Sequence, residues 1–248
     1  MSKGTKERAA AKRVVQQQLA AERRRAVTLW TSVAVVAVLL IAGLIGWGVL
    51  AGQQNDNADN LTVPAGAVDD GTAFPVGSGP VNVDVYEDFM CPICHEFEQQ
   101  SGDTLKQLAA DDKATIRYHP IAILDRASNG TQYSTRASAA SAAAFVGGKF
   151  TEYHDVLYAN QPEEGSNGLD NAKLIELGKS VGLTDAKFAD AINNKTYWAW
   201  ATKATDTASE RSVSSTPTVM INGKKVSEAN GAPPTPATLT TAVASAAG

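Results

Sequence analysis

The chain has 248 residues, with 22 Lys and Arg against 26 Asp and Glu, and only two cysteines. The net charge of −4 hides an asymmetry: residues 1–26 hold eight basic and two acidic side chains, leaving 14 basic and 24 acidic for the remainder. So acidic a remainder excludes nucleic acid as its partner.

In chain order, Lys6 to Arg25 is rich in Ala and Gln and reads as a helix, either lying along anionic membrane lipid or only setting topology. Val27 to Leu50 carries no charge and is almost wholly apolar. It exceeds the roughly 7 to 15 residues of a secretory apolar region and reaches the roughly 20 that a spanning helix needs. We therefore expect an uncleaved transmembrane helix at 27–50, with Trp30 and Trp47 about 25 Å apart along it, one at each interface. Arg23, Arg24 and Arg25 abut this span, and the positive-inside rule puts segment 1–26 in the cytoplasm. The rest then lies outside the cell membrane, where disulfides persist. Residues 51–79, rich in Gly, Asn, Asp and Pro and without sustained periodicity, read as a flexible tether whose inner end has room to pack on the domain. The folded domain is expected at 80–248, an ordinary size for one core.

Within it, Val81, Val83 and Val85 alternate as a strand does, and the period then changes: Cys94, Phe97, Leu105 and Leu108 fall at helical spacing. The two cysteines, Cys91 and Cys94, sit where that strand turns into that helix. Unpaired backbone NH groups and the positive end of the helix dipole stabilise a thiolate there. This predicts Cys91 as the nucleophile and Cys94, one turn deeper, as its partner sulfur. Pro92 suits the first helical turn, where its missing NH costs nothing. A second strand is predicted over Thr115 to Ile121. Helices follow: an Ala-rich one ending at Gly147 and Gly148, one holding Phe150, Tyr153 and Leu157, one around Leu174 to Val181, one capped by Thr184 and running to Ile192, and one from Tyr197 to Glu210. Thr218 to Ile221 and Lys224 to Val226 flank Asn222-Gly223, a strong hairpin signal. Thr235 and Pro236 open a closing helix that runs to Ala247.

The order strand, helix, strand, helical block, hairpin, helix, with CPIC opening the first helix and Thr216-Pro217 before the hairpin, resembles the thioredoxin fold of DsbA-like thiol-disulfide oxidoreductases. The resemblance covers roughly Val81 to Ala247, and YEDFMCPICHEF and SSTPTVMING carry it. It implies an α/β class, a thioredoxin-like fold with an inserted helical domain at about 127–211, preceded here by a single transmembrane helix as in tethered relatives. It further implies that Pro217 is cis beside the cysteines and that Thr216 helps dock an extended substrate; the plain alternative is a trans proline opening an edge strand. Two positions depart from the pattern. Ile93 stands where strongly oxidising members carry a His that donates to the thiolate, which implies a couple less oxidising than the extreme near roughly −120 mV. Val85 stands where many members keep a buried acid, leaving Glu87 or Asp88 as a candidate proton relay or as ordinary acids.

Two rival chemistries use the same residues. CxxCH at 91–95 spells a c-type haem attachment, with His95 as proximal ligand and Met220, His119 or His154 as the second. Two cysteines and three histidines could also complete a zinc tetrahedron, but the histidines lack metal-ligand spacing. A tethered domain whose disulfide is only structural is a third reading. The reading preferred on the sequence is a membrane-anchored, extracytoplasmic oxidase that introduces disulfides into exported proteins with free thiols. A reductase is the alternative direction. The resemblance implies reoxidation by a quinone-linked membrane oxidase of the DsbB or vitamin-K-epoxide-reductase-like kind, and no metal, flavin or nucleotide is needed. Tyr197, Trp198 and Trp200 read either as core of the helical block or as lining for a peptide groove.

Overall fold

The computed structural model describes residues 61–248. Segment 1–26, the expected span 27–50 and the first part of the expected tether lie outside the described residues, among which no helix is long and apolar enough to cross a membrane. The tether expectation is corrected over its inner part: Phe74–Val76 forms a short strand, β1, that pairs antiparallel with residues 116–118. The cause is one aromatic side chain. Phe74 is 0% exposed and stacks on Trp200 at 4.8 Å and Phe145 at 4.4 Å, so this stretch buries apolar surface against elements far along the chain. Backbone follows the ring: Trp200 Nε1 donates to Gly71 O at 2.6 Å, and Arg211 pairs with Asp69 and Asp70.

Strand β2 (Val81–Glu87) lies in the middle of a five-stranded sheet ordered β1-β3-β2-β4-β5. Its neighbours are β3 (Ala114–Pro120), parallel, and β4 (Thr218–Ile221), antiparallel; β4 continues into β5 (Lys224–Val226). The parallel register puts Val83 opposite Ile116 and Val85 opposite Tyr118. Asn222 and Gly223 both take positive φ, 47° and 77°, as the two-residue hairpin requires. Asn222 also exchanges hydrogen bonds with Asn82, tying the turn to the central strand.

The crossover between β2 and β3 is α1 (Pro92–Ala110), whose buried Cys94, Phe97, Leu105 and Leu108 meet the valine face. Between β3 and β4 stand α2 (Tyr133–Val146), α3 (Phe150–Ala159), α4 (Asn171–Ser180), α5 (Ala186–Asn193) and α6 (Trp198–Glu210). Helix α2 packs on the other four, and its alanines and buried serines allow close approach. Two helix starts differ from the sequence reading, one by a single residue and one by three. Asp185, not Thr184, caps α5 through the Lys187 NH, and Asp170 starts α4 earlier through the Lys173 NH. Helix α7 (Pro236–Ala247) begins at Thr235 as expected and packs on α1. Trp200, 0% exposed, belongs to the core rather than to a groove. On the opposite face of β2, Tyr86 joins Ile121, Ala208 and Val213 in a second, smaller cluster.

Candidate active site

The alternation that makes β2 a strand stops at Glu87, and a turn through Asp88–Met90 delivers the chain to Cys91, the N-cap of α1. Cys91 is extended there (φ −77°, ψ 117°), Pro92 follows as the first helical residue, and the NH groups of Cys94 and His95 both donate to Cys91 O. Both cysteines are free thiols, Cys91 6% exposed and Cys94 fully buried. The ranking of exposure matches the expectation; the margin is small. Pro92 and Ile93 form the exposed rim of the turn, Ile93 at 46%. From 125 positions along the chain, the Thr216-Pro217 peptide, which is cis, brings Thr216 O within 3.4 Å of Cys91 Sγ.

The two sulfurs titrate in opposite directions. The Cys94 thiol, as a hydrogen-bond partner, does most to favour the Cys91 thiolate; burial opposes it, and the Thr216 side chain with the NH groups of Cys94 and Ile93 adds to it. The balance brings Cys91 down to about 6. Burial pushes Cys94 well above the ordinary thiol range, and its position beside Cys91 pushes the same way. The result is an ionised sulfur at the helix start and a protonated one beneath it.

Glu87 and Asp88, indistinguishable as sequence candidates, have different surroundings. Asp88 is 0% exposed and accepts from Met90 N (2.9 Å), Ser134 Oγ (2.7 Å) and Leu124 N (2.9 Å). Burial outweighs those bonds and lifts it to about 7, and the charge of Cys91 adds to the lift. Asp88 thus pins the active-site turn to the insertion and holds a proton that exchanges near neutral pH. Glu87 shares the face of Val81, Val83 and Val85, one pleat beyond the valine that replaces the family acid. It is 1% exposed, with His154 Nε2 at 3.0 Å and Tyr158 Oη at 3.2 Å. Burial would lower His154, but Glu87 and Asp155 overcome it and hold the imidazole up to about 10.

Two participants had no signal for their roles in the sequence, where His154 stands only as a candidate haem or zinc ligand. Gln161, just past α3, donates to Phe89 O (3.1 Å) and Cys91 O (3.0 Å), so the insertion braces the turn that carries the nucleophile. His154, on α3, becomes the partner of Glu87 only because α3 is held beside α1 by side chains, Lys106 to Asp155 at 2.7 Å and His95 edge-on to Tyr158. The rival chemistries find no support in the geometry. Cys94 is enclosed and not open to a haem vinyl group; His95 Nε2 lies 2.6 Å from Gln99. Among the described residues the clusters able to hold a metal contain neither cysteine.

The comparisons with known proteins agree with this geometry. The family model described as Thioredoxin matches residues 77–244. The crystal structure of reduced DsbA from Mycobacterium tuberculosis is 32% identical, with a TM-score of 0.62, covering 71% of this chain and 93% of that one. Reduced DsbG from the same organism is likewise 32% identical, with a TM-score of 0.63 over 75% and 93%. The serine/threonine-protein kinase PknE of M. tuberculosis is 28% identical over 163 residues, 61% of this chain, and the chain spans only 28% of that kinase. A match across two thirds of the sequence, a cysteine pair at the head of α1 and DsbA and DsbG relatives of nearly full coverage lead to one conclusion: this chain belongs to the thioredoxin family and is a thiol-disulfide oxidoreductase of the DsbA type.

Proposed function

We propose that the protein is a membrane-anchored, extracytoplasmic oxidase that transfers the Cys91-Cys94 disulfide to exported proteins bearing free thiols. The observation that carries this reading is the opposed titration of the two sulfurs, Cys91 held down to about 6 and Cys94 held up. A stabilised thiolate favours the dithiol form of the enzyme, and a stable dithiol makes the disulfide a better oxidant. A substrate thiolate attacks Cys91 sulfur and displaces Cys94, which takes up a proton. A second substrate thiolate then attacks the substrate sulfur of the mixed disulfide, releasing Cys91 as thiolate and the substrate as disulfide. Two electrons thereby pass to the enzyme. Attack by Cys94 on Cys91 is the reverse step and returns the substrate reduced. Thr216 and Pro217 border Cys91 and dock the extended substrate; Asp88, with a pKa of about 7, is the better placed of the two acids to exchange the proton. A quinone-linked membrane oxidase of the DsbB or vitamin-K-epoxide-reductase-like kind restores the disulfide.

Ile93 favours a second reading, since without a donor at that position the couple is less oxidising, and a reductase fed by a membrane donor would use the same pair. The equilibrium reduction potential against glutathione separates them. A value nearer to roughly −120 mV than to roughly −270 mV supports the oxidase, and a thioredoxin-like value overturns it. Location is tested on intact, wall-stripped cells, where added protease should remove the domain and spare segment 1–26. Mature domain free in the medium, starting near Gly52, would instead mean that 27–50 is a cleaved signal.

A further inference from the structure

Beside the first turns of α1 lies a cleft of about 230 Å³ lined by His95, Glu98, Lys106, His154, Asp155 and Tyr158. Four buried side-chain polar atoms lack a hydrogen-bond partner among the described residues, and three belong to this neighbourhood: Glu87 Oε1, His95 Nδ1 and Glu98 Oε1. Such atoms are rare because each forfeits its hydration, and each one calls for an explanation. Glu87 is 1% exposed and His154 2%. His154 Nε2 stands 2.9 Å from Glu87 Oε1 and 3.0 Å from Oε2, with its hydrogen bond made to Oε2. One ligand atom each from Glu87, Glu98 and His154 lies within 4.8 Å of the others.

We propose that Glu87, Glu98 and His154 form a binding site for one divalent transition-metal ion, of which zinc is the best fit. Two ligand atoms at about 2.1 Å from an ion and at 90° to 109° to each other lie about 3.0 to 3.4 Å apart. The Glu87–His154 separation lies at the lower limit, and a carboxylate oxygen of Glu98, half-buried on α1, is within 4.8 Å of both partners, so a change of rotamer would close the third side. Binding displaces the proton that His154 otherwise shares with Glu87; two carboxylates and the imidazole so freed then cancel the charge of a divalent cation, and an imidazole in the set favours zinc over magnesium or calcium. Behind His154, Nδ1 lies 3.6 Å from Asp155 Oδ1, and Lys106 holds Asp155 at 2.7 Å. A closing movement of a few tenths of an ångström would give the carboxylate-imidazole hydrogen bond that orients metal-bound histidines, and Asp155 meanwhile engages the lysine of the cleft. Glu98 and His154 both line the cleft, as does His95, so a fourth ligand would come from the cleft side as water.

The other cluster of similar composition, Asp69, Asp84 and His119, carries no such inference. Arg117 and Arg211 already occupy its carboxylates, and none of its atoms is left without a partner.

The site does not depend on the direction of electron flow, so its test uses binding alone. The full chain carrying Cys91→Ser and Cys94→Ser, which removes thiolate ligands, is stripped with a chelator and titrated with Zn²⁺ by calorimetry. One equivalent should bind, Glu98→Gln should weaken binding by about tenfold or more, and Asp69→Asn should leave it unchanged. No saturable equivalent, or one that Glu98→Gln does not weaken, overturns the proposal. Cobalt substitution decides without any variant of the ligands: visible d–d bands of a nitrogen and oxygen site support it, and the spectrum of hydrated cobalt refutes it.

Discussion

Replacing Cys94 by Ala removes the group that does most to hold Cys91 ionised. Cys91 titrates at about 6, so half of it is thiolate at that pH. A hydrogen bond to a charged group contributes about 1.5 to 3 kcal/mol, and one pKa unit corresponds to about 1.4 kcal/mol. Cys91 is nearly buried but lies directly behind the exposed Pro92 and Ile93, where nearby solvent screens in part, so the low end of that range applies and the expected rise is about one unit. The thiolate fraction at pH 6 then falls from about one half to about one tenth. The rate of alkylation by iodoacetamide as a function of pH reads this midpoint directly, because only the thiolate reacts. Cys94→Ser, which keeps a hydroxyl donor, should titrate between the parent and Cys94→Ala. A midpoint that stays put or drops in Cys94→Ala would refute the reasoning, since it would mean that relief of burial outweighs the lost hydrogen bond.

Ile93→His places a donor on the exposed rim of the turn and should move the couple toward the oxidising end, about 30 mV for each 1.4 kcal/mol gained; a more reducing potential would show that residue 93 does not address the thiolate. Cys94→Ser should accumulate mixed disulfides with exported proteins, because the return attack by Cys94 is gone, and Cys91→Ser should accumulate few; equal trapping would reverse the assignment of the nucleophile. The stability of the dithiol form should rise with pH between about 6 and about 8.5, because the folded state ionises Cys91 below its unfolded value. Discounted for the solvent just beyond Pro92 and Ile93, that gain is about 2 kcal/mol, lost again as pH falls through 6; above about 8.5 Cys94, held protonated, takes stability away. Urea unfolding of the reduced chain against the double serine variant measures it, and parallel curves would contradict the titration of both sulfurs. Trp200→Ala should cost about 3 to 5 kcal/mol and loosen residues 68–76, read as faster amide exchange there; exchange unchanged at Phe74 would mean that β1 does not depend on the ring.

Much of the fold was written in local pattern. The alternation of Val81, Val83 and Val85, the proline after Cys91, the Asn222-Gly223 turn and the Thr235-Pro236 start each act over a few residues, and each lies where the sequence placed it. The cysteine pair was legible for the same reason, since a helix start creates its own electrostatics. Strand β1 was not legible: three residues in a Gly- and Asp-rich stretch have no period, and their pairing partner, Tyr118, lies across the whole of α1. Nor could the sequence separate Glu87 from Asp88, adjacent acids with the same ordinary pKa range. Packing separates them, by enclosing Asp88 among three donors and setting Glu87 against His154, 67 positions away. Gln161 and Thr216 reach Cys91 from 70 and 125 positions along the chain in the same way. Sequence alone determined which residues could carry the chemistry. Which of them lose water, and which partners they then meet, only the tertiary structure decided, because desolvation and hydrogen bonding between distant elements depend on surfaces that exist only once those elements have packed.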